Sequence, residues 1–366
     1  MSKAAELAAL IGSQTALSNR NLIINGASQI WQRGTSVDTI STGGILCDRW
    51  RIGHSGTDGN VDVDQDTSVP TGKGFGFSQK ISMDASESSL DAGDQVNVTQ
   101  KIEAQNLQHL EFGTSSAKSL VLSFYVKSSV AATYTVEWLT RDGTQRMIGR
   151  TYTINSANTW EYKTLTIPGD PSATINNDNG IGLEIRWWMD AGSTYTGGTF
   201  ATDWENKTNA NRVNATTGWL VSTSPTWHIT GVQLEIGEQA TPFEHRSFGD
   251  ELAACKRYFE KSFDVGTTPG VSDYNSTENW TVNADGSGNA VISPSFKVEK
   301  RAAPTMVAYQ ATGATGSWNY FRDGATGTGG VTFDRIGTNT TRCYTAIGAN
   351  WASGSIFGHW TADAEL

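Results

Sequence analysis

Apolar and polar residues alternate along residues 227–236, which is the pattern of a β-strand. One predicted face carries His228, Thr230, Val232, Leu234 and Ile236, and the other carries Trp227, Ile229, Gln233 and Glu235. Gly237 and Pro242 then interrupt the alternation, and Asp250 is predicted to cap a helix. Three- and four-residue spacing on that helix groups Phe248, Leu252, Cys255 and Phe259. We therefore predict a closing strand, an edge loop and a helix that leads to a second β domain.

Similar alternation predicts short strands on both sides of this stretch. They lie at residues 47–52, 120–127, 133–139, 150–154, 160–167, 182–190, 280–282, 290–292, 296–298, 306–309 and 355–360. Between residues 21 and 244 a helical period occurs only near residues 103–112. Residues 313–330, rich in glycine and threonine, are predicted to be a loop region. The pattern predicts an all-β chain, with a jelly-roll-like β-sandwich over 21–246, a linking helix within 247–263 and a smaller C-terminal β-sandwich over 264–366.

Residues 2–12 form a separate apolar stripe that predicts a short N-terminal helix. A helix of about 10 residues is not stable alone in water, so it needs a partner, either copies of itself or another protein. A frayed terminus is the alternative interpretation.

Composition narrows the classes of function. The formal net charge is −10 and no run of basic residues occurs, so we expect no nucleic-acid partner. No apolar run approaches the roughly 20 residues of a membrane span, and we expect no membrane insertion and synthesis in a cytosol. The three cysteines are far apart and odd in number, and we predict buried free thiols, with no cofactor.

Residues 58–66 place Asp58, Asn60, Asp62, Asp64 and Asp66 at every second position, and Val61 and Val63 alternate with them. An EF-hand loop that begins at Asp58 would need Gly and Glu where Val63 and Val69 stand, so a strand with an acidic outer face is favoured. An irregular calcium site stays open as an alternative.

Candidate catalytic groups show no spacing that selects a site. Carboxylates are frequent in the middle of the chain, at Asp170, Asp178, Glu184, Asp190, Asp203 and Glu205. A glycosidase needs two carboxylates about 5–10 Å apart, but nothing in the sequence picks a pair. The five histidines have no metal-ligand spacing. We predict a protein without enzymatic activity.

Aromatic residues give the strongest candidate binding site. Trp187 and Trp188 are adjacent in a predicted strand and must point to opposite faces, so Trp188 shares the polar face. The following loop adds Tyr195 and Trp204. Aromatic faces with nearby carboxamides and carboxylates suit sugar rings, and we predict glycan binding by Trp188, Tyr195 and Trp204. A subunit interface or the core of the loop is the alternative.

Several segments together resemble the structural proteins of tailed bacteriophages, the tail-fibre or minor structural proteins. The resemblance is carried by NLIING (21–26), QRG (32–34), DRW (48–50), LSFYVKS (122–128), TW…T.TIPGD (159–170), GVQLEIGEQATPFEHR (231–246), ELAACKRYF (251–259) and GHWTADAEL (358–366). The segment ending in QLEIG and ATPFE also resembles the last strand of carbohydrate-binding jelly rolls.

The resemblance implies a virion location and a homotrimer that contacts other virion proteins of the tail or capsid. Our leading hypothesis is therefore a tail-fibre or spike subunit that binds host-surface polysaccharide. Leu7, Leu10 and Ile11, within residues 1–20, would then anchor the subunit to the virion. A head fibre, a capsid decoration protein and a polysaccharide depolymerase are the alternatives.

Overall fold

The computed structural model describes residues 19–40, 44–283, 288–322, 324–348 and 353–366. The predicted N-terminal helix, with Leu7, Leu10 and Ile11, lies outside these residues. The described chain divides into two compact units. The first contains residues 19–29, 36–247 and Leu366, and the second contains residues 30–35 and 248–365. The segment 30–35 thus belongs to the second unit, although its sequence neighbours belong to the first.

The first unit is a sandwich of two antiparallel sheets. Sheet A has the order β1 (Ser36–Ile40), β4 (Val61–Asp66), β5 (Ser78–Met83), β13 (Thr226–Ile236), β7 (Leu120–Ser128) and β10 (Glu161–Ile167). Sheet B has the order β12 (Glu205–Asn206), β9 (Arg146–Thr153), β8 (Thr133–Thr140), β11 (Ile181–Ala191), β6 (Gln95–Glu103), β3 (Trp50–Ser55) and β2 (Gly44–Ile45). Short helical turns occupy Ala104–Leu110, Ser193–Thr196 and Asn209–Asn211. The prediction of an all-β fold is confirmed.

Aromatic side chains fill the space between the two sheets. Trp187 of β11 lies 5.4 Å from Trp50 of β3 and 6.0 Å from Phe124 of β7, as ring-centroid distances. Phe124 packs edge-on against Tyr152 at 5.2 Å. All four rings are buried, and because a large aromatic ring removes 150–250 Å² of surface from water, these contacts contribute much of the stability of the sandwich.

A strand forms where the closing strand was predicted, as β13, but its side chains do not occupy the two faces that were predicted. Its pairing with β7 shifts between Thr230 and Gln233, because Gly231 and Val232 together oppose a single residue. Gly231 has φ +64°, a conformation that favours glycine. The bulge moves Val232 onto the buried face with Trp227, so the faces predicted from strict alternation are wrong beyond Gly231.

The opening segment of the unit, residues 21–26, lies against this bulge. The Nδ2 of Asn21 donates to the carbonyl oxygen of Val232 at 3.1 Å, and its Oδ1 accepts from the backbone amides of Ile23 and Leu234, each at 3.0 Å. The backbone adds Leu22 N–H to Leu234 O and Val232 N–H to Gly26 O, both at 2.9 Å. One buried asparagine therefore joins the first segment of the unit to its last strand.

In the second unit, the described strands form one sheet that winds around its last strand. They are β14 (Phe259–Lys261), β15 (Glu278–Asn283), β16 (Asn289–Ile292), β17 (Thr305–Tyr309), β18 (Ser317–Arg322), β19 (Ala325–Asp334), β20 (Arg342–Ala346) and β21 (Ser353–Asp363). The first half of β21 pairs with β15 and β18, and its second half pairs with β14 and β17. A helix, Phe248–Lys256, precedes these strands.

Three predictions for this unit need correction. Asp250 lies in the first turn of the helix and does not cap it, because the helix already begins at Phe248. Residues 296–298 are not a strand, because the amides of Lys297 and Val298 donate to the buried carboxylate of Glu260. Residues 313–330 contain most of the hairpin β18–β19. In it Tyr320 stands opposite Gly327, whose missing side chain leaves room for the ring.

Cys47, Cys255 and Cys343 are buried free thiols, as predicted. In the described part of the chain, no helix has the length and apolar character needed to cross a membrane.

We predict that Asn21→Ala lowers the free energy of unfolding of the first unit by about 2–4 kcal/mol. The reason is that it leaves several buried backbone groups without partners. Chemical denaturation monitored by circular dichroism measures this change. Asn106→Ala removes an exposed asparagine of the same unit and is the matched control, with an expected change within about 0.5 kcal/mol. Equal effects of the two substitutions would contradict the role of Asn21.

Candidate functional site

Trp188 lies on the outer face of sheet B, as predicted, but its ring is covered. Only 1% of the residue is exposed. The guanidinium carbons of Arg186 and Arg212 lie 5.1 and 5.0 Å from the ring centroid, and the indole N–H donates to Glu137 at 3.2 Å. A ring buried in this way offers no face to a sugar. Trp188 is instead part of the packed core under the loop, which was the alternative interpretation.

The other two predicted residues do not form a common platform with Trp188. Tyr195 packs against Trp188 with ring centroids 5.2 Å apart. Trp204 has different partners, since its ring packs edge-on against Phe112 and its indole N–H donates to the carbonyl oxygen of Pro168 at 2.8 Å. These contacts fasten the loop of residues 192–212 to the sandwich.

The buried carboxylates among the candidates are also structural. Asp170 accepts from Arg146 Nε at 2.5 Å, and Asp190 accepts from the amides of Thr217 and Leu220. The acidic segment forms strand β4, as favoured by the sequence. Among the residues that the structure describes, no group of three His, Cys, Asp or Glu side chains is arranged to hold a metal ion.

A different aromatic surface lies on the outer face of sheet A. We call it the aromatic groove, and its volume is about 320 Å³. Its lining residues are Gly72, Lys73, Phe75, Ser123, Tyr125, Tyr162, Gly231, Pro242, Phe243 and His245. They come from the loop before β5, from β7, β10 and β13, and from the segment after β13, so the fold brings together residues as much as 173 positions apart.

The rings of the groove form a continuous row. Tyr162 lies 4.8 Å from Tyr125, and Tyr125 lies 5.7 Å from Phe75. Phe75 then contacts Phe243 at 5.1 Å and His245 at 5.3 Å. Tyr162 is 46% exposed, whereas Phe75 is buried and forms the floor. The row is therefore exposed at both ends, at Tyr162 and at His245, and is buried in the middle, at Phe75.

The bulge in β13 makes room for this floor. A Cβ atom added at Gly231 would lie 2.6 Å from the ring of Phe75, a distance that real side chains do not adopt. A glycine at this position is therefore required both by its positive φ and by the ring that packs on it.

Several polar groups in the groove have no partner in the described structure. The hydroxyls of Ser123, Tyr125 and Tyr162 and the ammonium of Lys73 make no hydrogen bond with the described residues. Burial raises the pKa of Tyr125, so its hydroxyl stays protonated at neutral pH and can donate. The groove thus combines aromatic faces with free hydrogen-bonding groups.

Sequence reasoning missed this groove. The outward position of Tyr125 follows from alternation in β7, where its neighbours Phe124 and Val126 point inward. Nothing local, however, indicates that Phe75 and Phe243 join it, because they belong to loops.

A larger depression lies in the second unit. It has a volume of about 480 Å³ and is lined by Arg33, Phe259, Pro269, Thr305, Val307, Tyr309, Thr361 and Asp363. Arg33 packs over Phe259 and pairs with Asp363 at 3.1 Å and Glu365 at 3.4 Å. Its principal charged group is therefore already held by the protein itself, and we favour the aromatic groove as the candidate site.

Comparison with known proteins finds no matching protein family and no matching curated protein. Solved structures match this chain at low identity. The enzymatically active domain of tailspike protein 4 from bacteriophage CBA120 is 16% identical, with a TM-score of 0.34, and the match covers 60% of this chain but 22% of that chain.

Two sugar-binding proteins give similar values. The module TmCBM61, solved with β-1,4-galactotriose, is 10% identical with a TM-score of 0.30, covering 60% of this chain and all of that one. The N-terminal cellulose-binding domain of β-1,4-glucanase C from Cellulomonas fimi is 14% identical with a TM-score of 0.29. The match covers 56% of this chain and 100% of that chain. At these TM-scores the likenesses carry no argument about function.

We predict that Trp188→Ala lowers the free energy of unfolding by about 3–5 kcal/mol, because it removes a buried indole and leaves Arg186 and Arg212 without their shared ring. Thermal and chemical denaturation measure the loss. Tyr162→Ala, which truncates a half-exposed ring, is the comparison and should cost about 1 kcal/mol or less. A Trp188→Ala protein of unchanged stability would contradict the packing described here.

Proposed function

We propose that this protein is a non-enzymatic, glycan-binding subunit of a bacteriophage virion and that the aromatic groove is its sugar site. The observation that carries the proposal is the row of rings from Tyr162 to Phe75, flanked by unpaired hydroxyls. A pyranose has an apolar C–H face that packs on an aromatic ring and hydroxyls that need hydrogen-bond partners. The groove offers both kinds of group on one surface.

Binding without hydrolysis fits the chemistry of the groove. Glycoside hydrolysis generally uses a pair of carboxyl groups on either side of the scissile bond. The residues that line the groove include a lysine, a histidine and three hydroxyl-bearing side chains, and none of them is an aspartate or glutamate. This composition supports recognition over the depolymerase alternative.

The virion location rests on the resemblance of the quoted segments to tailed-phage structural proteins. A single sugar stacked on one exposed ring gains on the order of 1 kcal/mol, about fivefold in affinity. A receptor-binding subunit with so weak a site depends on several copies acting together, which a homotrimer would supply. A head fibre or capsid decoration protein would use the same groove from another position on the particle.

Screening the protein on an array of bacterial surface glycans identifies a ligand for calorimetry. We expect Tyr162→Ala to weaken binding of that ligand about threefold to tenfold, since it removes the most exposed ring of the row. Tyr274→Ala truncates another exposed tyrosine, 58% exposed and in the second unit, and serves as the matched control with unchanged affinity. An affinity that Tyr162→Ala leaves unchanged would place the sugar elsewhere.

Assembly is tested separately. We expect light scattering to give a mass near three times 39.4 kDa, because the resemblance implies a homotrimer and the predicted short N-terminal helix needs a partner. A version that lacks residues 1–20 should remain folded but lose attachment to the virion. A monomeric full-length protein at micromolar concentration would rule out the trimer.

A further inference from the structure

The outer face of sheet B carries a second groove, which is lined by charged and polar side chains and not by aromatic rings. We call it the basic groove, and its volume is about 180 Å³. Its lining residues are Arg51, Gly53, Gln95, Asn97, Thr99, Lys101, Arg141, Glu184 and Arg186. Four of these side chains are cationic and one is anionic, in a chain whose formal net charge is −10. A local excess of positive charge in an acidic protein is a feature that an anionic ligand would complement.

The register of three adjacent strands places the cations. Thr99 of β6 stands opposite Arg51 of β3 on one side and opposite Arg186 of β11 on the other. Because neighbouring strands lie about 4.8 Å apart, the backbones that carry the two arginines are separated by about 10 Å across Thr99. Two guanidinium groups therefore flank one polar row on the same face of the sheet.

The single carboxylate does not neutralise this charge. Glu184 is bonded to Arg186 and lies 3.4 Å from Arg141. Burial opposes its ionisation, but these arginines and Lys101 outweigh that effect and lower the pKa of Glu184, so it is fully charged at neutral pH. Arg51 has no partner among the described residues, and Lys101 donates only to the carbonyl oxygen of Leu366, at 2.8 Å.

The excess of cations affects the pKa of Lys101. Burial lowers its pKa, and Arg51, Arg141 and Arg186 lower it further, whereas Glu184 acts in the opposite direction. Placing an anion in the groove would relieve this repulsion.

The floor of the groove is built from polar side chains that hold one another in place, of which Asn97 and Thr99 are buried. Gln95 donates to Ser55 at 2.9 Å, Asn97 donates to Gln95 at 3.2 Å, and Thr99 donates to Asn97 at 3.1 Å. Gly53 opposite Asn97 has no side chain, and an added Cβ would lie 2.5 Å from the Asn97 amide oxygen. The floor is thus fixed in position before any ligand arrives.

Arg186 is positioned in the same way. Its guanidinium is held over the ring of Trp188, and its Nε is buried with no hydrogen-bond partner in the described structure. A buried donor without a partner is costly, and the same arginine lines the groove. Trp188, covered by its loop, therefore acts as the support for an arginine at the edge of this groove.

We infer that the basic groove binds a carboxylate-bearing sugar of an acidic polysaccharide, with the carboxylate between Arg51 and Arg186. Guanidinium groups match the geometry of carboxylates and form two parallel hydrogen bonds with them. The polar floor supplies partners for sugar hydroxyls. Because the acidic remainder of the chain repels any long polyanion beyond the groove, we expect recognition of a short acidic segment, with the guanidinium pair matched to one carboxylate.

The test is calorimetric titration of the full-length protein with a short oligogalacturonate, and with a neutral galactose oligomer of equal length. We expect the acidic oligomer to bind and Arg51→Gln to weaken it about fivefold to tenfold, as for the loss of a charge-assisted hydrogen bond. Arg51→Lys, which keeps the charge, should lose less. Raising the ionic strength from about 0.05 M to about 0.5 M should also weaken binding.

Two variants provide controls. Lys118→Gln removes a positive charge at an exposed pair with Glu111 and should leave the affinity unchanged. Tyr162→Ala alters the aromatic groove and should not change binding of the acidic oligomer, which separates this inference from the proposed sugar site.

Several results would overturn the inference. They are the absence of binding at millimolar oligogalacturonate, equal binding of the neutral oligomer, and an affinity that Arg51→Gln does not change. Equal sensitivity to Lys118→Gln would show a general charge effect. Inorganic phosphate or a short single-stranded oligonucleotide that binds more tightly than the oligogalacturonate, with the same dependence on Arg51, would identify phosphate as the ligand chemistry instead.

Discussion

The hydrogen bonds between Asn21 and strand β13 are the constraint on which the sandwich of the first unit depends. A bulge interrupts the ladder of β13 at Gly231 and Val232, and a bulge leaves backbone groups that the neighbouring strand does not satisfy. Asn21 supplies an acceptor and a donor there, for Leu234 N–H and Val232 O. Buried backbone groups must find partners, so the opening segment and the closing strand stabilise each other.

The same strand organises the aromatic groove. Gln233 accepts from the amide of Glu244 at 2.8 Å, and Glu235 accepts from the amide of Thr241 at 2.9 Å. These bonds fix the segment that carries Phe243, while the bulge leaves space for Phe75. Residues 21–26 and 231–246 thus close the sandwich and shape one of its outer faces.

Much of the fold follows from local pattern. Alternation predicts β7 and β11 well, because each strand has an inner row of large apolar residues, such as Leu120 to Val126 and Leu183 to Met189. Alternation fails where long-range contacts determine whether a strand forms or which face a side chain occupies. The bulge at Gly231 reverses the faces of β13. In the glycine-rich hairpin β18–β19, the ring of Tyr320 packs over Gly327 on the opposite strand.

The candidate sites were harder to predict for the same reason. Adjacency with Trp187 correctly places Trp188 on the outer face, but nothing in the strand itself shows that a loop covers the ring. The aromatic groove combines side chains from five segments, and the basic groove arises from the register of β3, β6 and β11. Such sites depend on strand order, which periodicity in a single sequence does not encode.

The most direct test of the central claim is a crystal structure of the protein with a glycan selected by array binding. The account predicts electron density for a sugar ring packed against Tyr162 and Tyr125, with sugar hydroxyls within hydrogen-bond distance of Ser123 or Lys73. Density for the glycan at any other surface, with the aromatic groove left to solvent, would contradict it.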